Sequence, residues 1–182
     1  MAKFEIAEHL TGRNEGGYAF DKADRGGETI QGVARNFWPS WKGWKTIDLI
    51  KSTKGKSASI INLNTKNDKE FQKLVSDFYK SNFWDVNRLD NFNDQQLANS
   101  VYDFGVNSGT GRAAKFLQEI LGVSVDGEIG PKTLAQLNVG NFKAIHAAYN
   151  CKRKAFYEGL AKNPTQKKFL KSWLSRLKEY KD

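Results

Sequence analysis

Cysteine, proline and long apolar runs are what this chain has least of. A single cysteine, Cys151, leaves no partner for an internal disulfide. It lies at helical spacing with Ala147, Ala148 and Ala155, which reads as an apolar helix face carrying a buried structural thiol rather than a nucleophile. Three prolines in 182 residues leave long stretches free to be helical. No run of 18 apolar residues occurs, so no helical membrane span and no stable membrane insertion are expected. The opening MAKFEIAEHL lacks the apolar core of a secretory signal, and extracellular work would need another export route or a leader outside this sequence. The two histidines, His9 and His146, have no Cys or His at ligand spacing, so a zinc site is not expected. Acidic residues are in the minority: the net charge is +9. From Lys143 to Asp182 there are eleven basic and three acidic residues, so nearly all the excess lies in the last forty. Such a patch suits a solvated face, and also attraction to a polyanion.

What the chain has is a core. It is 39% hydrophobic and 13% aromatic, the composition of a folded protein long enough to bury one. Its most informative stretch is Asn14–Ala34, NEGGYAFDKADRGGETIQGVA. The preceding KFEIAEHLTGR places Phe4, Ala7, Leu10 and Thr11 at helical spacing, so Glu15 falls at or just past a helix C-terminus. There the helix dipole and burial both disfavour ionisation of a carboxyl. A carboxyl kept protonated near neutral pH is what a general acid requires. The glycines that follow predict a hairpin over Tyr18–Ala34, folding Asp24 and Thr29 back towards Glu15. Tyr18 is a further candidate for touching substrate.

EGGYAFDKADRGGETIQGVA closely resembles the N-terminal motif of the phage-type muramidases of glycoside hydrolase family 108. The resemblance implies Glu15 as the catalytic acid. The order Glu15, Asp24, Thr29 is similar to the Glu–Asp–Thr arrangement of other phage lysozymes, in which the Asp and Thr hold the attacking water. One residue fewer separates Asp24 from Thr29 than in that pattern. A hydroxyl beside a carboxylate suits gripping a water, so inversion is expected, with the two carboxyls about 6.5–9.5 Å apart.

FWPSWKGWKTIDLIKS carries Trp38, Trp41 and Trp44, read as mostly core, with one exposed indole able to stack on a sugar. Lys51–Ser59 reads as a polar, mobile loop. Asn67–Phe83 reads as an amphipathic helix capped by Asn67, with Phe71, Leu74, Val75, Phe78 and Tyr79 inward. Asn93 or Asp94 caps the next helix, whose face is Leu97, Val101, Phe104 and Gly105; Asn107–Gly111 breaks it. Val125–Gly130 is a turn, and Pro131 opens another helix. Helices over Asn141–Ala161 and Thr165–Tyr180 close the chain.

VDGEIGPKT within Gln96–Asn138 resembles the predicted peptidoglycan-binding region of family 108 proteins, and DFGVNSG is similar to the helix break of phage lysozymes. Tyr102, Asp103, Asn107 and Ser108 are candidates for hydrogen-bonding sugar hydroxyls or amides; capping and helix packing are the alternative roles. The resemblance implies a mainly α-helical, lysozyme-like fold of two lobes with a small β-hairpin beside a cleft. Residues 1–92 would form the catalytic lobe and 93–182 a helical second lobe. It implies an N-acetylmuramidase cutting bacterial peptidoglycan as a monomer, with no metal or organic cofactor. Anionic envelope polymers are candidate partners for the basic helices. The enzyme would stay cytoplasmic until released to the cell wall or periplasm. A lytic transglycosylase and a non-catalytic wall-binding protein are the competing readings. Nucleic-acid binding rests on charge alone, without a recognised motif, and is not expected.

Overall fold

Four of the described helices open on a polar side chain that caps the first turn: Ser57, Asp68, Asp94 and Asn141. The computed structural model describes residues 1–11, 16–21 and 25–179, with the backbone alone for Lys178 and Glu179. In order, the described elements are α1 (Phe4–Thr11), β1 (Ala19–Phe20), β2 (Glu28–Ile30), β3 (Val33–Ala34), α2 (Gly43–Thr53), α3 (Ala58–Lys66), α4 (Lys69–Tyr79), α5 (Gln95–Ser108), α6 (Thr110–Leu121), α7 (Pro131–Asn138), α8 (Phe142–Leu160) and α9 (Leu170–Glu179). The protein is mainly helical with one small sheet, as expected. Packing divides it into two compact units, Gly12–Ser81 and Met1–Thr11 with Asn82–Asp182.

In the unit Gly12–Ser81, the hairpin becomes a three-stranded antiparallel sheet. Ala19 pairs with Thr29 and Phe20 with Glu28; Thr29 pairs with Ala34 and Ile30 with Val33. Between β2 and β3 stand Gln31 and Gly32, with φ of 44° and 78°. Two left-handed residues in succession are what a tight primed turn needs to follow the strand twist. Ile47, Ile50, Ile61, Phe71, Val75 and Phe78 are buried, and α2 packs on both α3 and α4. The tryptophans are largely core. Trp44 is buried and its Nε1 donates to Trp38 O at 2.8 Å, while Trp41 meets Trp44, Phe71 and Phe78 edge to face. Trp38 is the partly exposed indole, set edge-on against Phe78.

Two expectations here are corrected. The stretch read as a loop over Lys51–Ser59 is mostly helical: α2 runs to Thr53 and α3 begins at Ala58. Ser57 starts α3, its Oγ accepting from Ile60 N, and the buried Ile61 and Thr65 face inward. The next cap is Asp68, not Asn67. Asp68 Oδ1 accepts from Glu70 N at 3.0 Å and Phe71 N at 3.1 Å, and Asn67 instead ends α3. A carboxylate does better than an amide at the positive end of a helix.

The other unit is built around α5, buried continuously from Leu97 to Gly105. Helices α1, α6 and α8 pack against it. Asp94 caps α5, Oδ1 accepting from Leu97 N at 2.7 Å, and the chain breaks at Gly109, φ 94°. Phe104 sits amid the rings of Phe116, Tyr149, Phe156 and Tyr157. The inward side of α8 is Ile145, His146, Tyr149, Arg153 and Tyr157. Cys151 is exposed, and so are Ala147, Ala148 and Ala155. The small residues read as the buried face therefore lie outward: burying large rings and a paired arginine removes far more surface from water than burying alanines.

Candidate active site

Glu15 and Asp24 lie outside the described residues. The described residues nearest them in sequence are Gly16 to Asp21 and those from Arg25 onward. Gly16 O accepts from Gln31 N at 3.1 Å. Tyr18 N donates to Asn62 Oδ1 on α3 at 2.7 Å. Thr29 is half-buried and paired across the sheet with Ala19, so the strand carrying the candidate hydroxyl runs beside the one that continues from Glu15.

Beneath Thr29's strand lies a charged cluster. The buried Glu28 accepts the Tyr18 hydroxyl at 2.7 Å and Lys51 Nζ at 2.9 Å. Its other oxygen stands 2.8 Å from Arg35 Nε, an ion pair not aligned as a hydrogen bond. Arg35 in turn donates to Asp48 at 2.7 and 3.1 Å and lies over the Trp44 ring, 4.4 Å from its centroid. The two anions and two cations cancel, so the cluster braces the sheet on α2 without adding net charge. Burial, then the bond to Glu28, pushes the Tyr18 phenol above its usual range. Burial acts to lower the Arg35 guanidinium, but Asp48 and Glu28 outweigh it and hold it raised. Tyr18 is thus turned inward onto Glu28 rather than presented to a ligand. Besides Trp38, the exposed rings among the described residues of this unit are Phe20 and Phe37, 58% and 62% exposed. Composition and spacing gave no way to single these two out, since an outward ring and a core ring look alike in sequence.

The four candidates on α5 part company. Tyr102 is buried edge-on to Phe4 and Trp84. Asp103 is 1% exposed, with one oxygen on Arg153 and the other taking Arg176 Nε at 2.9 Å. Asn107 is exposed and Ser108 half-buried. The VDGEIGPKT stretch folds around a buried amide. Gln118 Nε2 donates to Asp126 Oδ1 at 2.7 Å and to Glu128 O at 3.0 Å, while its Oε1 accepts from Gly127 N at 2.9 Å. Hydrogen bonds from the Glu128 N–H, then from Gln118, hold the Asp126 carboxyl below its usual range. Among the described residues no group of three or more His, Cys, Asp or Glu could hold a metal. No described helix is long and apolar enough to cross a membrane.

The family model for glycosyl hydrolase 108 matches residues 9–109, from α1 through the sheet to the break after α5. The chain belongs to glycosyl hydrolase family 108. A second model, described as a predicted peptidoglycan domain, matches residues 112–178, spanning α6 to α9. The structure of SagA from Brucella abortus is similar to this one, with a TM-score of 0.71 and 29% identity, covering 97% of this chain and 90% of that one. No curated protein matches. This family 108 protein is a glycoside hydrolase of the lysozyme type, with the lysozyme-like fold expected, and its partner is peptidoglycan.

Proposed function

We propose that this peptidoglycan hydrolase is an N-acetylmuramidase, cutting the glycan strand between N-acetylmuramic acid and N-acetylglucosamine. Glu15 protonates the glycosidic oxygen. Asp24 orients the attacking water or offsets the positive charge of an oxocarbenium-like transition state, and Thr29 helps hold the water. The observation that carries the reading is the pairing of Ala19 with Thr29, with Gly16 tied to Gln31. Together they run the segment leaving the acid alongside the strand that bears the hydroxyl. Inversion at the anomeric carbon follows if Asp24 and Thr29 share a water. Asn107 and Ser108 on α5 and, separately, the exposed rings of Phe20, Phe37 and Trp38 are the candidates for touching peptidoglycan. Tyr18, Tyr102 and Asp103, turned inward, act as supports. Catalysis belongs to residues 1–92 and wall contact to 93–182, where Lys167, Lys168 and Lys171 are exposed and suit anionic envelope polymers.

Glu15→Gln keeps shape and removes the donatable proton. Zymography on purified peptidoglycan should show activity reduced at least about a hundredfold, with the circular dichroism of the wild type. Near-wild-type lysis by the folded variant would sink the assignment. Mass spectrometry of the products separates the two enzyme chemistries: a saturated reducing end marks hydrolysis, an anhydro-sugar marks a transglycosylase.

A further inference from the structure

The geometry points to Asn62, on α3, as a positioning residue for the acid-bearing segment; this rests on the reading of Glu15 as the acid. Tyr18 is three residues beyond Glu15 in sequence, and its backbone N–H donates to Asn62 Oδ1 at 2.7 Å. Between them, Gly17 is pressed onto the same amide. A Cβ at Gly17 would stand 2.6 Å from Asn62 Nδ2 and 2.8 Å from Oδ1, so any side chain there would push the Asn62 amide away from the Tyr18 N–H, and glycine avoids this. Asn62 is half-buried, and its helix is fixed from within by the fully buried Ile61 and by Thr65, whose hydroxyl donates to Ile61 O at 2.9 Å.

A second tie completes the hold. Tyr79 of α4 donates its hydroxyl to Gln31 O at 2.9 Å, and Gln31 N donates to Gly16 O at 3.1 Å. Gln31 takes φ 44°, a left-handed conformation that a non-glycine residue adopts only when its surroundings hold it there. The three residues after the acid are therefore fastened to two helices: Gly16 to α4 through Gln31, and Gly17 and Tyr18 to α3 through Asn62. A general acid works only if its proton lies within hydrogen-bond reach of the leaving oxygen, and a displacement of about 1 Å costs on the order of a hundredfold. Asn62 supplies a fixed acceptor for the Tyr18 N–H from a helix anchored by its buried face.

The test measures kcat and KM on a short soluble glycan, which removes wall adsorption from the readout. Asn62→Ala should lower kcat by about ten- to a hundredfold while KM stays within about twofold, the pattern of an interaction expressed in the transition state. Asn62→Asp keeps an acceptor for the Tyr18 N–H and should restore most of kcat; Asn62→Ser is too short to reach and should not. Leu63→Ala, at an exposed neighbour on the same helix, should behave as wild type. Should Asn62→Ala fail to fold, the contrast between Asp and Ser decides alone. An alanine variant with wild-type kcat, or an aspartate variant as impaired as serine, overturns the inference. Glu15→Gln runs alongside. If it stays active, the reading of the acid fails; if it is inactive while Asn62→Ala turns over normally, only the positioning role of Asn62 fails.

Discussion

Among the described residues, each unit encloses a buried carboxylate between two cations, and the two are built for different ends. Glu28 is held by Arg35 and Lys51, whose side chains are 29% and 24% exposed, and by the Tyr18 hydroxyl. Its backbone neighbour is Thr29. Asp103 is held by Arg153, wholly buried, and by Arg176, 16% exposed. It ties α5 to α8 and α9, deep among aromatic rings. Burial acts to lower the Arg153 guanidinium, but Asp103 together with Tyr157 and Tyr149 outweighs it and holds it raised. A buried acid is therefore no mark of chemistry by itself. Of the two, Glu28 is the one bonded to Tyr18, three residues beyond Glu15 in sequence. The deeper one joins helices.

The comparison can be broken by removing each acid in turn. Asp103→Ala leaves Arg153 charged with no route to water. Such losses cost about 3–5 kcal/mol, so urea or thermal unfolding should show a large drop, while turnover per folded molecule at low temperature stays close to wild type. Glu28→Gln should do the reverse. Its two cations can turn to solvent, so stability falls by only about 1–3 kcal/mol, but kcat should fall at least about tenfold as the sheet loosens around Tyr18. Equal stability losses in the two variants, or an inactive but folded Asp103→Ala, would erase the distinction. The smallest effect is expected at the surface. Neutralising Lys167, Lys168 and Lys171 should weaken adsorption to intact walls at low salt, and the difference should fade as salt rises, because exposed charges about 10 Å apart are screened at 0.1 M. Hydrolysis of a soluble fragment should hardly change.

Local signals were legible in the sequence. Asp94 and Asn141 stand where apolar periodicity begins, and both cap helices. Pro131 sits in the first turn of α7, and the break at Gly109 follows a glycine. Where one side chain decides the matter within four residues, reading the chain is enough. The misreadings share another cause. KSTKGKSAS is polar and cationic, and nothing in it announces that Ser57 starts a helix whose buried contacts are only Ile61 and Thr65. The outward turn of Cys151 depends on the pairing of Arg153 with Asp103, 50 positions away. Tyr18 reads as free for a ligand, and Asp103 as either a ligand contact or a helix-packing group, because their partners, Glu28 and the two arginines, are joined to them only by the fold. Asn62, 44 positions from Tyr18, carries no local signal at all.

The pairing of α1 with α5 has a consequence for how the chain is made. Lys3 O accepts from the side chain of Gln95, 92 positions later, at 3.0 Å, and Ala2 N donates to Phe92 O at 2.8 Å. On a ribosome adding roughly 5–20 residues per second, α1 waits about 5–20 s before its partner has been synthesised. All of Gly12–Ser81 is completed in that interval, and its sheet and helices need nothing that comes later in translation to meet one another. The chain from Gly12 to Ser81 is thus synthesised in full before α1 finds its partner. A pause or a slow codon between Ser81 and Gln95 would lengthen the time during which α1 exposes Phe4 and Ala7 to chaperones and proteases, without delaying the sheet.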